Sequence, residues 1–388
     1  VTTAPGPGPG DDEPGAIDRF FKDPERPEDR QVVVVGAGPA GATAARFAAE
    51  AGADVLLIDR KSVVGSPVQC AGYIPGEDEL ADMLPLVPDP EQLYTIDDTF
   101  ELARTYETVI FSPNGRRTYL RFEGRTIDRA RWDPHLVDMA VKAGAEFRPS
   151  TQAMGLESGT LITDRGTYLP GVIIAADGPH SRTRTSVGLP SPKLIAPALN
   201  APSKHLHGGK VEMHFARESP GAYAWVIPAG KEMSHVGLGA DPRRKGVDLR
   251  ANLRAFAGRV GAELGPITGG FVPSAGPVKR TVKANVMLVG DAAGHVMASN
   301  GGGVPIGLAA GRAAGQVAAD VVRGRADITD YERRWKAELG DVLATAARFR
   351  WAVGMPFWSP LAMEMAMWAM PKDQMLRALK CQRIFNAF

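Results

Sequence analysis

The chain has only two cysteines in 388 residues, Cys70 and Cys381, so no disulfide framework or cysteine-based zinc site is readable. Such sparse cysteine fits a reducing cytoplasm. Charge of one sign is also missing. Lysine and arginine total 45 against 44 acidic residues, a formal net charge of +1, which gives no argument for nucleic acid or any strongly charged partner. No apolar run is long enough to span a bilayer. The nearest, residues 351–370, is interrupted by Pro356, Pro360 and Glu364. Residues 1–30 are rich in Pro, Gly, Asp and Glu and show no secretory signal. They are expected to form a loosely draped tail, with residues 17–21 docking. The histidines His205, His207 and His214 lack a carboxylate or cysteine at a recognisable spacing, so no metal is expected. There is no internal repeat.

What is present is an ordinary globular composition, 44% apolar and 23% charged, in a chain long enough for two or three lobes. Its most informative stretch is Gly36-Ala37-Gly38-Pro39-Ala40-Gly41, which follows the apolar run 32–35 and opens an Ala-rich segment. Strand, glycine turn and helix in that order cradle a dinucleotide pyrophosphate. The first glycine makes the turn, the second lets backbone approach phosphate, and the third lets the helix pack on the strand. The helix N-terminus presents N–H groups and partial positive charge to the anion. A second apolar run, 54–58, ends in Asp59-Arg60, and the carboxylate suits a ribose 2′-hydroxyl.

Two further segments have the same character. Ala176-Asp177-Gly178 follows the buried strand pattern 169–176. Val289-Gly290-Asp291-Ala292-Ala293-Gly294 follows the short run 286–289 and leads into Gly301-Gly302-Gly303 and a small-residue helix over 304–322. The pattern predicts strands around 108–111 and 117–122 with a Pro-Asn-Gly turn between them, and a helix over 127–144 capped by Asp128. Strands are expected again over 205–240, a helix over 249–260, and helices from 331 onward. The small-residue helix is expected to pack against a sheet. Because the nucleotide-binding pieces are interleaved with strand-rich segments, the fold expected is α/β: a Rossmann-like domain with an inserted antiparallel-sheet substrate domain and a C-terminal helical region. The boundaries expected are a tail at 1–30, a discontinuous nucleotide domain at 31–85, 123–190 and 278–330, a substrate sheet at 86–122 and 191–277, and helices at 331–388.

In order across 31–322, these three signatures resemble the large family of FAD-dependent oxidoreductases that includes aromatic hydroxylases, flavin halogenases and geranylgeranyl reductases. Two segments narrow the resemblance. Gly65-Ser66-Pro67-Val68-Gln69-Cys70-Ala71 is similar to the Pro-Val-x-Cys segment of geranylgeranyl reductases, and Tyr223-Ala224-Trp225-Val226-Ile227-Pro228 is similar to their Tyr-x-Trp-x-Phe-Pro segment. Ile227 matches the Trp-x-Trp-x-Ile-Pro signature of halogenases better. Met297-Ala298 stand where the reductases commonly carry Asn-Pro, and Ala71 follows Cys70 in place of Gly-Asp or Gly-Glu.

The resemblance implies FAD as cofactor and hydride transfer from reduced flavin to a geranylgeranyl double bond of a lipid, diphosphate or pigment tail, with an archaeal-type membrane lipid first. It implies flavin-site roles for Gly36, Gly38, Pro39, Ala40, Gly41, Asp59, Arg60, Cys70, Ala71 and Asp177. It puts Gly290 and Asp291 by the ribityl chain, and Gly302, Gly303 and Val304 against the isoalloxazine ring. It sets Arg129 near the phosphates or adenosine and the Ala153 backbone at the adenine. On a strand, Tyr223 and Trp225 at i and i+2 share one face, expected to form an aromatic wall. Cys70 is either redox-active or merely a small buried residue; no resolving cysteine lies nearby in sequence, which favours a structural role beside the flavin. His295 is a candidate proton donor or a hydrogen-bonded structural histidine. The Trp- and Met-rich 351–370 suits a tunnel wall, an interfacial face or a core helix pair. No second glycine-motif unit is present, so electrons reach FAD from a nicotinamide, a ferredoxin or another small donor. The expected location is the cytoplasm, with peripheral contact at a membrane surface. The alternatives are a flavin monooxygenase or halogenase, and an electron-transfer flavoprotein reducing a quinone.

Overall fold

A computed structural model describes residues 27–204, 208–352 and 359–384. The expected docking of residues 17–21, and His205 and His207, lie outside the described residues.

The first sheet is built on β1 (Glu28–Val35), flanked by β2 (Val55–Ile58) and β9 (Gly166–Ala175). Outside them lie β6 (Glu146–Arg148) and β17 (Val286–Leu288), all parallel, with β16 (Val282–Lys283) antiparallel at one edge. An antiparallel ribbon of β7 (Ala153–Glu157) and β8 (Thr160–Thr163) continues from β9. Continuous valine and leucine runs make these strands because both faces are covered. Val32, Val34, Val55 and Leu57 join the core beneath the helices, while Val33, Val35, Leu56 and Ile58 join the core on the opposite face with Leu161 and Tyr168. Strand β1 starts at Glu28, so residues 28–30 belong to the sheet and not to a tail. Arg30 ties it there, paired with Glu28, Glu146 and Asp54.

The second sheet runs β14 (Glu263–Leu264), β10 (Ile195–Lys204), β13 (Met233–Gly239), β12 (Ala224–Pro228), β11 (Val211–His214), β4 (Glu101–Phe111), β5 (Arg117–Ile127) and β3 (Tyr73–Pro75). Strand β15 (Thr268–Pro273) also pairs with β10. One pair departs from the antiparallel expectation: β11 runs parallel to β4. Residues 73–75 and 123–127, expected with the nucleotide domain, are strands of this second sheet.

Ten α-helices complete the described residues. Helix α1 (Pro39–Glu50) packs on α7 (Val304–Val321) and α4 (Arg129–Lys142). Asp128 caps α4 by accepting the Ala130 N–H at 3.1 Å. Short α2 (Glu77–Met83), α3 (Glu91–Tyr94) and α5 (Arg182–Ser186) fill loops, and α6 (Leu249–Val260) lies behind the second sheet. Helix α8 (Asp330–Ala352) returns to the first sheet, where Tyr331 donates to Leu288 O at 2.7 Å. Helices α9 (Pro360–Ala369) and α10 (Lys372–Leu379) follow.

The small-residue helix packs on a helix more than on a sheet. A Cβ on Gly311 or Gly315 would overlap the backbone oxygen of Ala40 or Ala44, and one on Gly307 would meet Ala40 Cβ at 3.3 Å. This stripe at i, i+4 and i+8 lets α7 lie almost backbone to backbone on α1. It sets the first turns of the two helices side by side.

Candidate active site

The turn between β1 and α1 shows three glycines with three different reasons. Gly36 has φ +104, and a Cβ there would overlap Ala176 O; a Cβ on Gly41 would overlap Gly36 O. Chain packing therefore demands both. Gly38 is different. Its φ is −71 and a Cβ there would meet no protein atom within 4 Å, so neither strain nor packing asks for glycine. It forms a cradle at the N-terminus of α1, which fits the close approach of a pyrophosphate. The carboxylate of Asp59 sits at the same turn, accepting from Ala37 N at 2.7 Å and Lys61 N at 2.8 Å.

The other two signatures end beside this turn. Asp177 follows β9 and accepts from Thr183 N and Oγ1 through Oδ2, while its Oδ1 is buried with no protein partner. Gly290, at φ +57, lies against α1, where a Cβ would be 2.9 Å from Ala40 Cβ. Asp291 follows. Burial pushes its carboxyl up to about 6, opposed by Arg129. Arg129 itself is bidentate to Asp133, at 2.5 and 2.8 Å. Burial works against its charge, but Asp133 and Cys70 outweigh it and hold it above the ordinary guanidinium range. Arg129, Asp291 and Cys70 thus share one neighbourhood.

The glycine run is a tight loop closed by Gly301 N donating to Met297 O at 2.8 Å and Met297 N to Gly302 O at 3.1 Å. Gly301 has φ +74, and Gly303 lies by Asp291, whose Oδ1 would be 3.5 Å from a Cβ there. Tyr223 reaches this loop from the second sheet. Its hydroxyl donates to Asn300 O at 2.5 Å, and burial raises its pKa, so it keeps its proton. Trp225 is 6.0 Å from it between ring centroids and donates Nε1–H to Asn200 Oδ1 at 3.1 Å. Trp225 and Tyr73 also pack on Ala71, Val211 and Ile227, so the segment after Cys70 rests on the aromatic strand.

Several expectations need correction. The surroundings of His295 argue against a proton donor. The histidine is wholly buried, with no protein partner on either ring nitrogen, and its ring lies 4.7 Å from that of Trp335, tilted by 55°; burial pushes its pKa down to about 3. Cys70 is exposed, not a small buried residue, and its Sγ accepts from Gly72 N at 3.3 Å. His214 is structural, 2.8 Å from Glu212 and stacked on Phe111. Among the described residues no three His, Cys, Asp or Glu side chains are placed to hold a metal ion.

Pro39, Ala40 and Val304 stand at the starts of α1 and α7, and Ala153 opens β7. Arg60 is exposed just beyond Asp59. Sequence reasoning missed Asn300 and Phe215. The signal for Asn300 was an amide directly before the glycine run. Phe215 lies 6.1 Å from Tyr223 between ring centroids and also packs on the methionine cluster under α9.

A family profile described as pyridine nucleotide-disulphide oxidoreductase matches residues 30–127. The digeranylgeranylglycerophospholipid reductase of Methanocaldococcus jannaschii is 30% identical over 346 residues, covering 82% of this chain and 85% of its own. A second such reductase, from Methanopyrus kandleri, is 35% identical over 346 residues, with 82% and 85% covered. A solved geranylgeranyl bacteriochlorophyll reductase-like protein from Thermoplasma acidophilum superposes with a TM-score of 0.77 at 23% identity, covering 87% of this chain and 90% of its own. A flavin-dependent brominase superposes at 0.67 with 16% identity, over 92% of this chain and 96% of its own, a likeness of fold alone.

Proposed function

We propose, because this chain belongs to the family of digeranylgeranylglycerophospholipid reductases, that it saturates the prenyl double bonds of such a lipid. It is an FAD-dependent oxidoreductase. Gly38 and the first turn of α1 would hold the pyrophosphate, Asp59 the adenosine ribose, and Asp291 the ribityl chain. The loop 301–303 at the start of α7 would lie along the ring system. Bound there, reduced FAD supplies a hydride.

The observation that carries the reading is the contact of Tyr223 with this glycine loop, because Tyr223 links a packed apolar cluster, the path a prenyl chain would take, to the nucleotide site. Met363 and Met367 of α9 pack with Ile110, Leu120 and Met375; Phe215 packs on that cluster and also lies against Tyr223. A prenyl chain following this path would leave water behind before it reaches the glycine loop. Tyr223 and Trp225 would hold it in register, with both polar atoms satisfied within the protein. Positioning in a dry slot is the chain's main contribution to such a step.

The same path has an outer end. Leu361, Met365 and Trp368, at i, i+4 and i+7 of α9, are 70%, 64% and 76% exposed. Exposed Arg116 lies in the β4–β5 turn and exposed Arg117 opens β5, beside Asn114, whose N donates to Glu364 of α9 at 3.1 Å. An apolar face beside basic residues suits the surface of an anionic bilayer, from which a lipid would enter. Among the described residues no helix is long and apolar enough to cross a membrane.

Mass spectrometry of lipids from a host that makes digeranylgeranyl lipids and expresses this chain tests the proposal. Gains of about two mass units per reduced double bond are expected, following from the added hydride and proton. An unchanged lipid profile from a host containing the flavin-loaded protein and a competent electron donor would refute it.

A further inference from the structure

We infer that Asn300 is the positioning residue of this site: it fixes the glycine loop and the Tyr223 hydroxyl relative to one another and ties both to the end of α10. The inference rests on the reading that the loop 301–303 lies against the flavin, and names what holds the loop there.

Three hydrogen bonds carry it. Asn300 O accepts from Tyr223 Oη at 2.5 Å, Oδ1 accepts from Gly302 N at 2.8 Å, and Nδ2 donates to Leu379 O at 2.9 Å. The partners fix the orientation of the amide, since Gly302 N–H can only donate and Leu379 O can only accept. Three consecutive glycines have more backbone freedom to lose than any other tripeptide. Without side-chain bonds, such a loop is a poor template for a flat ring. An amide supplies an acceptor and a donor from one rigid group, so it can join the loop to a second element.

That second element is anchored independently. Lys380 meets Glu79 Oε2 at 2.6 Å and Asp82 Oδ2 at 2.8 Å on α2. Cys381 is buried with Sγ 3.1 Å from Ser299 Oγ, and its thiol, pushed up to about 12 by burial, is a packing group. The end of α10 is therefore pinned to α2, and Asn300 passes that restraint to the loop. The C-terminal helices become part of the flavin site without lining it.

The test uses the full chain loaded with FAD, as wild type, N300A and N300D. Three quantities are read: the FAD dissociation constant, the visible spectrum of the bound flavin, and the rate at which trypsin cuts within α10. The carboxylate of the N300D variant would keep an acceptor for Gly302 N–H but lose the donor to Leu379 O. N300A is expected to bind FAD about tenfold more weakly, with a shifted flavin spectrum. N300D keeps the acceptor for Gly302 N–H and loses only the tie to the pinned helix, so it is expected to weaken FAD binding and shift the spectrum less than N300A, with α10 cut at the wild-type rate. An N300A protein with wild-type affinity and spectrum overturns the inference, as does an N300D protein indistinguishable from wild type in both. Should N300A fail to fold, N300D decides. A wild-type chain that takes up no FAD would instead remove the underlying reading, an outcome the unmutated control reveals directly.

Discussion

Asp59 Oδ2 accepts the backbone N–H of Ala37 at 2.7 Å, joining the end of β2 to the glycine turn at the end of β1. The same carboxylate takes Lys61 N–H through Oδ1. It therefore shapes the cradle as well as offering lone pairs to a ribose. Asp59→Ala is expected to weaken FAD binding by about tenfold to a hundredfold, since hydrogen bonds to a charged acceptor are worth about 1.5–3 kcal/mol. Titration of flavin fluorescence checks this, and an unchanged dissociation constant would speak against it.

The contact of α1 with α7 makes a stability prediction with a built-in control. A Cβ on Gly311 would overlap Ala40 O, so Gly311→Ala forces the helices apart and is expected to cost about 1–3 kcal/mol. Gly340, within α8, has only Lys336 Cβ near a built Cβ, at 3.8 Å. Gly340→Ala is expected to stabilise by about 0.5–1 kcal/mol through helix propensity. Denaturant unfolding of the two variants should move in opposite directions; movement in the same direction would mean the close packing is wrong.

Buried His295 sets an acid dependence. Between about 3 and its ordinary 6.5, the unfolded chain holds a proton on this imidazole that the folded chain does not. Stability is therefore gained as pH rises through that window and lost on acidification, by up to about 1.4 kcal/mol per pH unit. Asp291, pushed up to about 6, acts in the opposite sense between 3.8 and 6. Comparing wild type with His295→Leu cancels that term. The stability of wild type relative to the variant is expected to fall as pH drops below 6.5, and the variant is expected to keep its turnover. Loss of turnover with an intact flavin spectrum would return His295 to the chemistry.

The outward face of α9 should be separable from the fold. Replacing Leu361, Met365 and Trp368 together by serine removes exposed side chains, and burying each in a lipid surface would be worth about 1.5–3 kcal/mol. Binding to vesicles containing anionic lipid is expected to fall by at least about tenfold, while the thermal unfolding profile stays close to wild type. Equal flotation of the two proteins would show that this face does not meet the bilayer.

The nucleotide half of the molecule was legible because its signals are local. Apolar runs, a glycine turn and an Ala-rich helix specify one another within a few residues, and Gly36, Gly38 and Gly41 each kept a distinct physical role. The nearness of Tyr223 to Trp225 was legible in the i, i+2 spacing, although Tyr223 stands one residue before β12 and not on the strand. What was not legible depended on distant partners. His295 beside a glycine motif looks chemical until Trp335, forty residues on, is found packed against it. The parallel pairing of β11 with β4 has no trace in either strand's own pattern. The small-residue helix was read as packing closely against a sheet, and its neighbour is α1, because a stripe of glycines says how near a neighbour comes and not which neighbour it is. Asn300 joins residues separated by about eighty positions on either side. No sequence window holds that relation.

The most direct test of the account is a single anaerobic turnover. The purified chain, loaded with FAD and chemically reduced, is mixed with a digeranylgeranyl glycerophospholipid in the absence of oxygen. The account expects the reduced flavin to reoxidise as the lipid gains two hydrogens per flavin, followed together by absorbance and mass spectrometry. Flavin that stays reduced until oxygen is admitted, with the lipid unaltered, would contradict it.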